Sequence, residues 1–327
     1  MINDNLLIHI GYHKTGTTWL QNELFRSENN VFEPLSLQAK GKSSLSWDFL
    51  IGQDGYLLSS FESNKEVIKA SLLKILKQKG GCCSKVFVLT SERFSGHPHA
   101  GGFEAKILAN RLNDIFPKAK ILIVIREQRS FIKSLYFQYL SKVGAGVLSL
   151  KRYLCLPYDT IPYFSPNNLN FNLLVEYYFE LFGRENVLVL PYELFKLDPI
   201  EYVGKIGIFI NREIEIDESR FQVLHNTNRR TFVLYYFRYL NFFIRRKSLN
   251  FYSIYSNKYS RYLAIKIQST LMLLTPKLFD KWLNFRIQKY IQEWVGNRYE
   301  LSNSKLSDLI NIDLSKYGYH TPMKSKL

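Results

Sequence analysis

Leu6-Leu-Ile-His-Ile-Gly-Tyr-His-Lys-Thr-Gly-Thr-Thr-Trp-Leu20 decides how this chain reads. The apolar run Leu6–Ile10 predicts a buried strand, and Gly11 to Gly16 predict a tight loop. The spacing of Trp19, Leu20, Leu24 and Phe25 predicts an amphipathic helix over Thr17–Ser27. A strand–loop–helix unit of this kind aims backbone N–H groups and the positive end of a helix dipole at one point, where an anion is stabilised. Lys14 adds a mobile charge, and Thr15, Thr17 and Thr18 add hydroxyl donors. The nucleotide-triphosphate P-loop, G-x-x-x-x-G-K-[ST], carries its lysine after the second glycine. Here Lys14 precedes Gly16, so the unit reads as a phosphate cradle of another kind. A plain glycine–threonine turn is the bland alternative. The density of donors directly after a buried-type strand counts against it.

Working outward, four more apolar runs read as buried parallel strands: Val31–Pro34, Lys85–Thr90, Ile121–Ile125 and Val187–Leu190. Helical patterns lie between most of them, at Lys65–Lys79, Ala105–Phe116, Gln128–Lys142 and Phe171–Phe182. Such alternation predicts an α/β fold, a P-loop-like parallel sheet flanked by helices, with ligands at the carboxyl ends of the strands. The stretches 41–60 and 143–170 are less regular and are expected to fold over the site. After Asn226 the character changes. Arg230–Lys247 is apolar nearly all round, with Arg238 inside and Arg245-Arg246-Lys247 at its end, and helices follow at Tyr262–Leu274, Phe279–Trp294 and Ser304–Ile310. The expected organisation is one domain over 1–327, with an α/β core (1–225) and a helical carboxyl-terminal extension (226–327).

The bulk numbers fit an anion-binding globular protein. With 327 residues and 46% hydrophobic content the chain can bury a sizeable core. Lys+Arg 44 against Asp+Glu 28 gives 44 − 28 = +16, which suits nucleic acid, an acidic glycan, an anionic membrane or a multiply phosphorylated nucleotide. The basic residues are dispersed and no nucleic-acid recognition motif is present, which argues against a nucleic-acid-binding module. Three cysteines, with Cys82 and Cys83 adjacent, give neither a disulfide framework nor metal-ligand spacing. Leu6–Ile10 is too short for a secretory signal and follows the acidic Asp4, so the expected location is cytoplasmic.

A second anion contact stands at the end of the fourth strand. Arg126, at its tip, and Ser134, two turns into the next helix, can converge on one anion, the guanidinium as a planar fork and the serine as a hydroxyl. A structural salt bridge for Arg126 and a surface position for Ser134 are the alternatives.

Together these motifs resemble the sulfotransferases, enzymes that use 3′-phosphoadenosine-5′-phosphosulfate (PAPS) as sulfuryl donor. His13-Lys-Thr-Gly-Thr-Thr-Trp19 resembles their 5′-phosphosulfate loop, and Arg126-Glu-Gln-Arg-Ser-Phe-Ile-Lys-Ser134 resembles their 3′-phosphate motif. The resemblance implies that Trp19 stacks on adenine, with core packing as the competing reading. It implies an adenosine contact for Tyr192, in Leu190-Pro-Tyr-Glu-Leu-Phe-Lys-Leu-Asp-Pro199. The tail Asp313-Leu-Ser-Lys-Tyr-Gly-Tyr319 is similar to the ends of bacterial members. One departure stands out: the late Arg-Lys-Gly segment of cytosolic sulfotransferases is missing, and Arg229 or Arg230, in His225-Asn-Thr-Asn-Arg-Arg230, is its candidate substitute.

The implied mechanism is in-line sulfuryl transfer to a hydroxyl, with Lys14 neutralising charge at the bridging oxygen and the N–H groups of Thr15 to Thr18 holding the 5′-phosphate. No metal is expected. For the base, Glu92 at the tip of the third strand competes with His97 and His99, and a glutamate base is expected to need a pKa raised by burial. His13 is either a phosphate contact or a packed ring. A lid containing Lys142, Lys151, Arg152, Tyr153, Tyr158 and Tyr163 suits a sugar, so a bacterial-type carbohydrate sulfotransferase is the leading reading, its acceptor a polysaccharide, oligosaccharide or glycolipid. The Arg230–Lys247 helix either lies on a membrane surface or is a core helix. A P-loop kinase and a non-catalytic nucleotide-binding scaffold are the rivals.

Overall fold

The computed structural model describes residues 5–26, 28–35, 66, 70, 84–141, 146–154, 164–223, 230–241, 243–244 and 258–322. The Lys65–Lys79 helix (apart from 66 and 70), the stretch 41–60, Cys82, Cys83, Lys142, Tyr158, Tyr163, the His225–Arg229 segment and Arg245-Arg246-Lys247 lie outside the described residues.

Five parallel strands form one sheet in the order β2-β3-β1-β4-β5, with β1 Leu6–Gly11, β2 Phe32–Pro34, β3 Val86–Thr90, β4 Lys120–Ile125 and β5 Val187–Pro191. The cradle strand β1 is therefore central, pairing with β3 (Ile8 opposite Leu89) and with β4 (Ile8 opposite Ile121). Its side chains alternate between two cores, as the period of two requires. Leu6, Ile8 and Ile10 join Ile121, Ile123 and Ile125 on one face, while Leu7 joins Leu122, Val124 and Leu190 on the other. Each fully buried leucine or isoleucine contributes about 1.5–3 kcal/mol relative to exposure.

The helices are α1 (Thr17–Trp19), α2 (Ala105–Ile115), α3 (Gln128–Leu140), α4 (Leu150–Tyr153), α5 (Phe171–Phe182), α6 (Tyr192–Leu197), α7 (Pro199–Ile210), α8 (Thr231–Asn241), α9 (Lys258–Leu274), α10 (Lys277–Val295) and α11 (Glu300–Ile310). The first helix departs from the expected single run: after one α-turn the chain widens into a π-helical turn, Leu20–Leu24. α7 was not expected, because Gly204 and Gly207 dilute its pattern. Its ends are nonetheless well specified: Asp198 Oδ1 accepts from the Glu201 N–H at 2.8 Å, Pro199 opens it, and Asn211 closes it at φ 56°.

The carboxyl-terminal helices share the sheet's core: Leu283, Ile287, Ile291 and Val295 of α10 and Leu306 of α11 lie in the same apolar cluster as Ile8 and Ile123. α8 buries Val233, Leu234 and Phe237 while Tyr236, Tyr239 and Leu240 are exposed, so it is neither apolar all round nor a wholly buried helix.

Candidate active site

The cradle loop leaves β1 at Gly11 and enters α1 at Thr17. Lys14 (φ 67°) and Gly16 (φ 81°) adopt left-handed backbone, which folds the loop back over the strand end. A Cβ on Gly16 would lie 2.9 Å from the Tyr192 ring, so only glycine lets that ring approach. The Thr15 hydroxyl donates to the Tyr12 carbonyl and is spent on the loop itself. Thr17 differs: its hydroxyl is buried with no hydrogen-bond partner among the described residues. An anion in the cradle satisfies such an orphan.

Arg126, at the tip of β4, reaches across to the same loop. Its Nη1 donates to the Lys14 carbonyl at 2.7 Å, its Nε donates to Ser130 Oγ at 3.0 Å, and the guanidinium lies over the Tyr192 ring at 5.3 Å. Among the described residues no carboxylate comes within ion-pair distance, so the salt-bridge alternative does not hold. Burial disfavours its charge and lowers its pKa, only partly offset by Tyr192, Glu193 and Glu127. Glu127 caps α3 by accepting from the N–H groups of Arg129 and Ser130 at 2.9 and 2.8 Å, which fixes the helix that carries Ser134.

Glu92 arrives from the end of β3. Ser91 N–H donates to the His9 carbonyl at 3.2 Å and Ser95 Oγ to the Gly11 carbonyl at 3.2 Å, locking the Glu92–Ser95 turn beside the cradle. Glu92 Oε1 lies 3.3 Å from His13 Nδ1, whereas Arg93 pairs with Glu104 instead. The expectation of a raised pKa is corrected here. Burial does push the Glu92 carboxyl up, but His13, Lys14 and His9 together outweigh it and hold the carboxyl below its ordinary value. His9 itself is fully buried, contacts Thr90 Oγ1 at 2.8 Å, and has its pKa pushed down to about 3 by desolvation.

Lys14, Gly16, Thr17, Thr18, Trp19, Glu92, Arg126, Ser134 and Tyr192 line one cavity of about 370 Å³. Gln138, Phe195, Phe221 and Val223 complete it. Gln138 stands four residues after Ser134, so the helical period alone could have flagged it. Trp19 packs between Phe195 (4.5 Å) and Phe221 (5.6 Å), and its Nε1 donates to the Arg220 carbonyl at 3.0 Å. Its ring is 5% exposed, a wall of the cavity rather than an open platform.

His97, His99, Tyr153 and Arg230 are not brought in. His97 lies outside the cavity, its ring 6.3 Å from that of His13, and its Nδ1 accepts from the His99 N–H at 3.0 Å. His99 contacts Tyr153 Oη at 3.0 Å. Tyr153 is fully buried among aromatic rings, so it is no sugar platform, while Lys151 and Arg152 are exposed. Arg230 faces away, with Nη1 3.3 Å from Asp280 Oδ2 and Nε donating to the Met272 carbonyl at 3.0 Å.

Beyond Arg126 opens a larger cavity of about 650 Å³, lined by Lys133 and Lys196 on one side and Asn284, Gln288 and Gln292 of α10 on the other. Burial and the Arg126 charge both lower the pKa of Lys133 and Lys196. An anion between these cations relieves that strain. The three amides recur every four residues, a periodicity readable in the sequence but not singled out there.

This cradle, set at the carboxyl ends of a parallel sheet and faced by an arginine–serine pair, defines an enzyme that handles a phosphorylated donor. The family model described as the sulfotransferase domain matches residues 4–232, and the chain belongs to that family. It is a PAPS-dependent sulfotransferase. Among solved structures it is similar to a sulfotransferase from Alicyclobacillus acidocaldarius, at 16% identity over 96% of this chain and 98% of that one, with a TM-score of 0.49. It is also similar to the sulfotransferase domain of the curacin biosynthetic pathway, at 15% identity over 64% and 74%, TM-score 0.39. A mouse sulfotransferase complexed with PAP shows 17% identity over 67% and 61%, TM-score 0.37. None of the curated proteins matches.

Proposed function

We propose that the chain sulfates a hydroxyl of a carbohydrate or glycolipid acceptor in the cytoplasm, as a single domain whose core and extension act together. The observation that carries the site assignment is that Lys14, Thr17, Arg126, Ser134 and Glu92 share one cavity. PAPS supplies the activated sulfuryl group. Lys14 neutralises the negative charge that develops on the departing phosphate, and the N–H groups of Thr15 to Thr18 hold that phosphate at the head of α1. Arg126 and Ser134 hold the 3′-phosphate, and Tyr192, stacked under Arg126, flanks the nucleotide with Trp19 behind it. Glu92 receives the acceptor hydroxyl's proton. Its position in the cavity and its ionised state favour it over His97. His13 holds that carboxylate in place. The exposed Lys151 and Arg152 and the net charge of +16 support an acceptor bearing negative groups.

The test is calorimetric titration with 3′-phosphoadenosine 5′-phosphate (PAP) without magnesium, followed by radiosulfate transfer from PAPS to a panel of polysaccharides and glycolipids. Micromolar PAP binding and label in one of these acceptors uphold the reading. Binding with label confined to small phenols or alcohols overturns the carbohydrate acceptor.

A further inference from the structure

α9 and α10 turn their apolar side chains the wrong way for a soluble bundle. α9 buries a narrow stripe, Ala264 and Gln268, while Tyr259 (84% exposed), Tyr262, Leu263 and Leu273 (85%) stand on the opposite side. α10 buries Leu283, Ile287 and Ile291, and exposes Leu278, Trp282 and Phe285 (70%) at the i, i+4, i+7 spacing of a single stripe. Lone exposed apolar residues are ordinary, but two successive helices with large apolar outward stripes are not.

The charges around these stripes are predominantly basic. From 262 to 295 the basic residues are Lys266, Lys277, Lys281, Arg286 and Lys289 and the acids are Asp280 and Glu293, a balance of 5 − 2 = +3. Asp280 is turned inward, accepting from the Phe232 N–H at 2.8 Å and pairing with Arg230. The outward surface is thus net cationic, with Glu293 its one acid and the Arg286 guanidinium 5.0 Å over the Trp282 ring.

We propose that the outward faces of α9 and α10 dock the enzyme on an anionic phospholipid membrane. Apolar and aromatic side chains enter the headgroup boundary while lysine and arginine heads meet lipid phosphates, the pattern of an interfacial helix. A second copy of the chain is disfavoured, since it would set two cationic faces against each other. Among the described residues no helix is long and apolar enough to cross a membrane, so the contact lies on the surface. The surface also adjoins the site: a cavity of about 630 Å³ lined by Leu273, Lys277 and Lys281 shares Thr231 and Asn284 with the larger cavity beside Arg126. The proposal does not depend on which acceptor is sulfated.

The test is sedimentation of the full chain with phosphatidylcholine vesicles, with and without phosphatidylglycerol. Binding to the anionic vesicles, absent from the neutral ones and weakened by molar salt, is expected. Leu273→Glu combined with Phe285→Glu should lower the partition coefficient about tenfold or more while PAP affinity stays unchanged. Brominated lipid should quench the wild-type tryptophan emission, and quenching should drop in Trp282→Phe, a readout that survives if the double variant misfolds. Wild-type protein left in the supernatant with anionic vesicles overturns the proposal. So does a concentration-dependent dimer in light scattering that Phe285→Glu dissociates and that does not bind vesicles.

Discussion

Arg126 and Glu92 answer to different measurements. Arg126 donates to the Lys14 carbonyl and lines the donor cavity, so under the proposed binding mode Arg126→Ala would remove two or more charged hydrogen bonds to the nucleotide. At about 1.5–3 kcal/mol for each such bond, PAP affinity should fall by roughly two orders of magnitude or more in calorimetry, and Arg126→Lys, lacking the planar fork, should not restore it. Glu92, with its pKa held low, is ionised throughout neutrality. The kcat/KM profile should therefore stay flat as pH falls to about 5 and decline only below the ordinary carboxylate range, whereas a histidine base would cost activity near pH 6.5. His9 gives a folding prediction of definite sign. The unfolded chain takes up its proton near 6.5 and the folded chain only near 3, so stability falls as pH drops through that window, by about 1.4 kcal/mol per unit. Its imidazole should show no titration by NMR between pH 8 and 5.

Helix α3 carries Ser134, and its cap residue, Glu127, directly follows Arg126. Glu127→Ala leaves two N–H groups without their acceptor and should lower stability by about 1–2 kcal/mol in urea denaturation. The strands and most helices were legible because their signals are local: β1 is apolar but for His9 and its closing glycine, β4 is apolar after Lys120, and α5 begins and ends at the residues its pattern predicts. The π-turn at Leu20–Leu24 was not legible, since apolar spacing does not register one extra residue in a turn. The cradle and Arg126 could be read because strand tips impose their geometry directly. The fates of Tyr153 and Arg230 depend on partners tens of residues away, His99 and Asp280, and no local pattern carries that information. The low pKa of Glu92 is of the same kind, set by His13, Lys14 and His9 on and just after β1.

The whole molecule is tied together by the extension. Gln128, the first residue of α3, exchanges hydrogen bonds with Asn303 of α11 (2.6 and 3.2 Å), and Asn303 also donates to the His320 carbonyl at 2.9 Å. A chain cut at residue 225 exposes the cluster that α10 and α11 cover and should aggregate or bind dye as a molten species, with no cooperative thermal transition. The tail adds a subtler dependence. Arg129 Nη2 donates to the Gly318 carbonyl at 3.0 Å, Tyr319 Oη donates to Glu193 at 3.3 Å, and Tyr317 and Gly318 line the larger cavity beside Arg126. During synthesis the cradle leaves the ribosome well before the Asp313–Tyr319 stretch that completes its surroundings. Nascent chains stalled ahead of Asp313 should carry the loop yet capture no PAP, so the site matures only once the Asp313–Tyr319 stretch has been made.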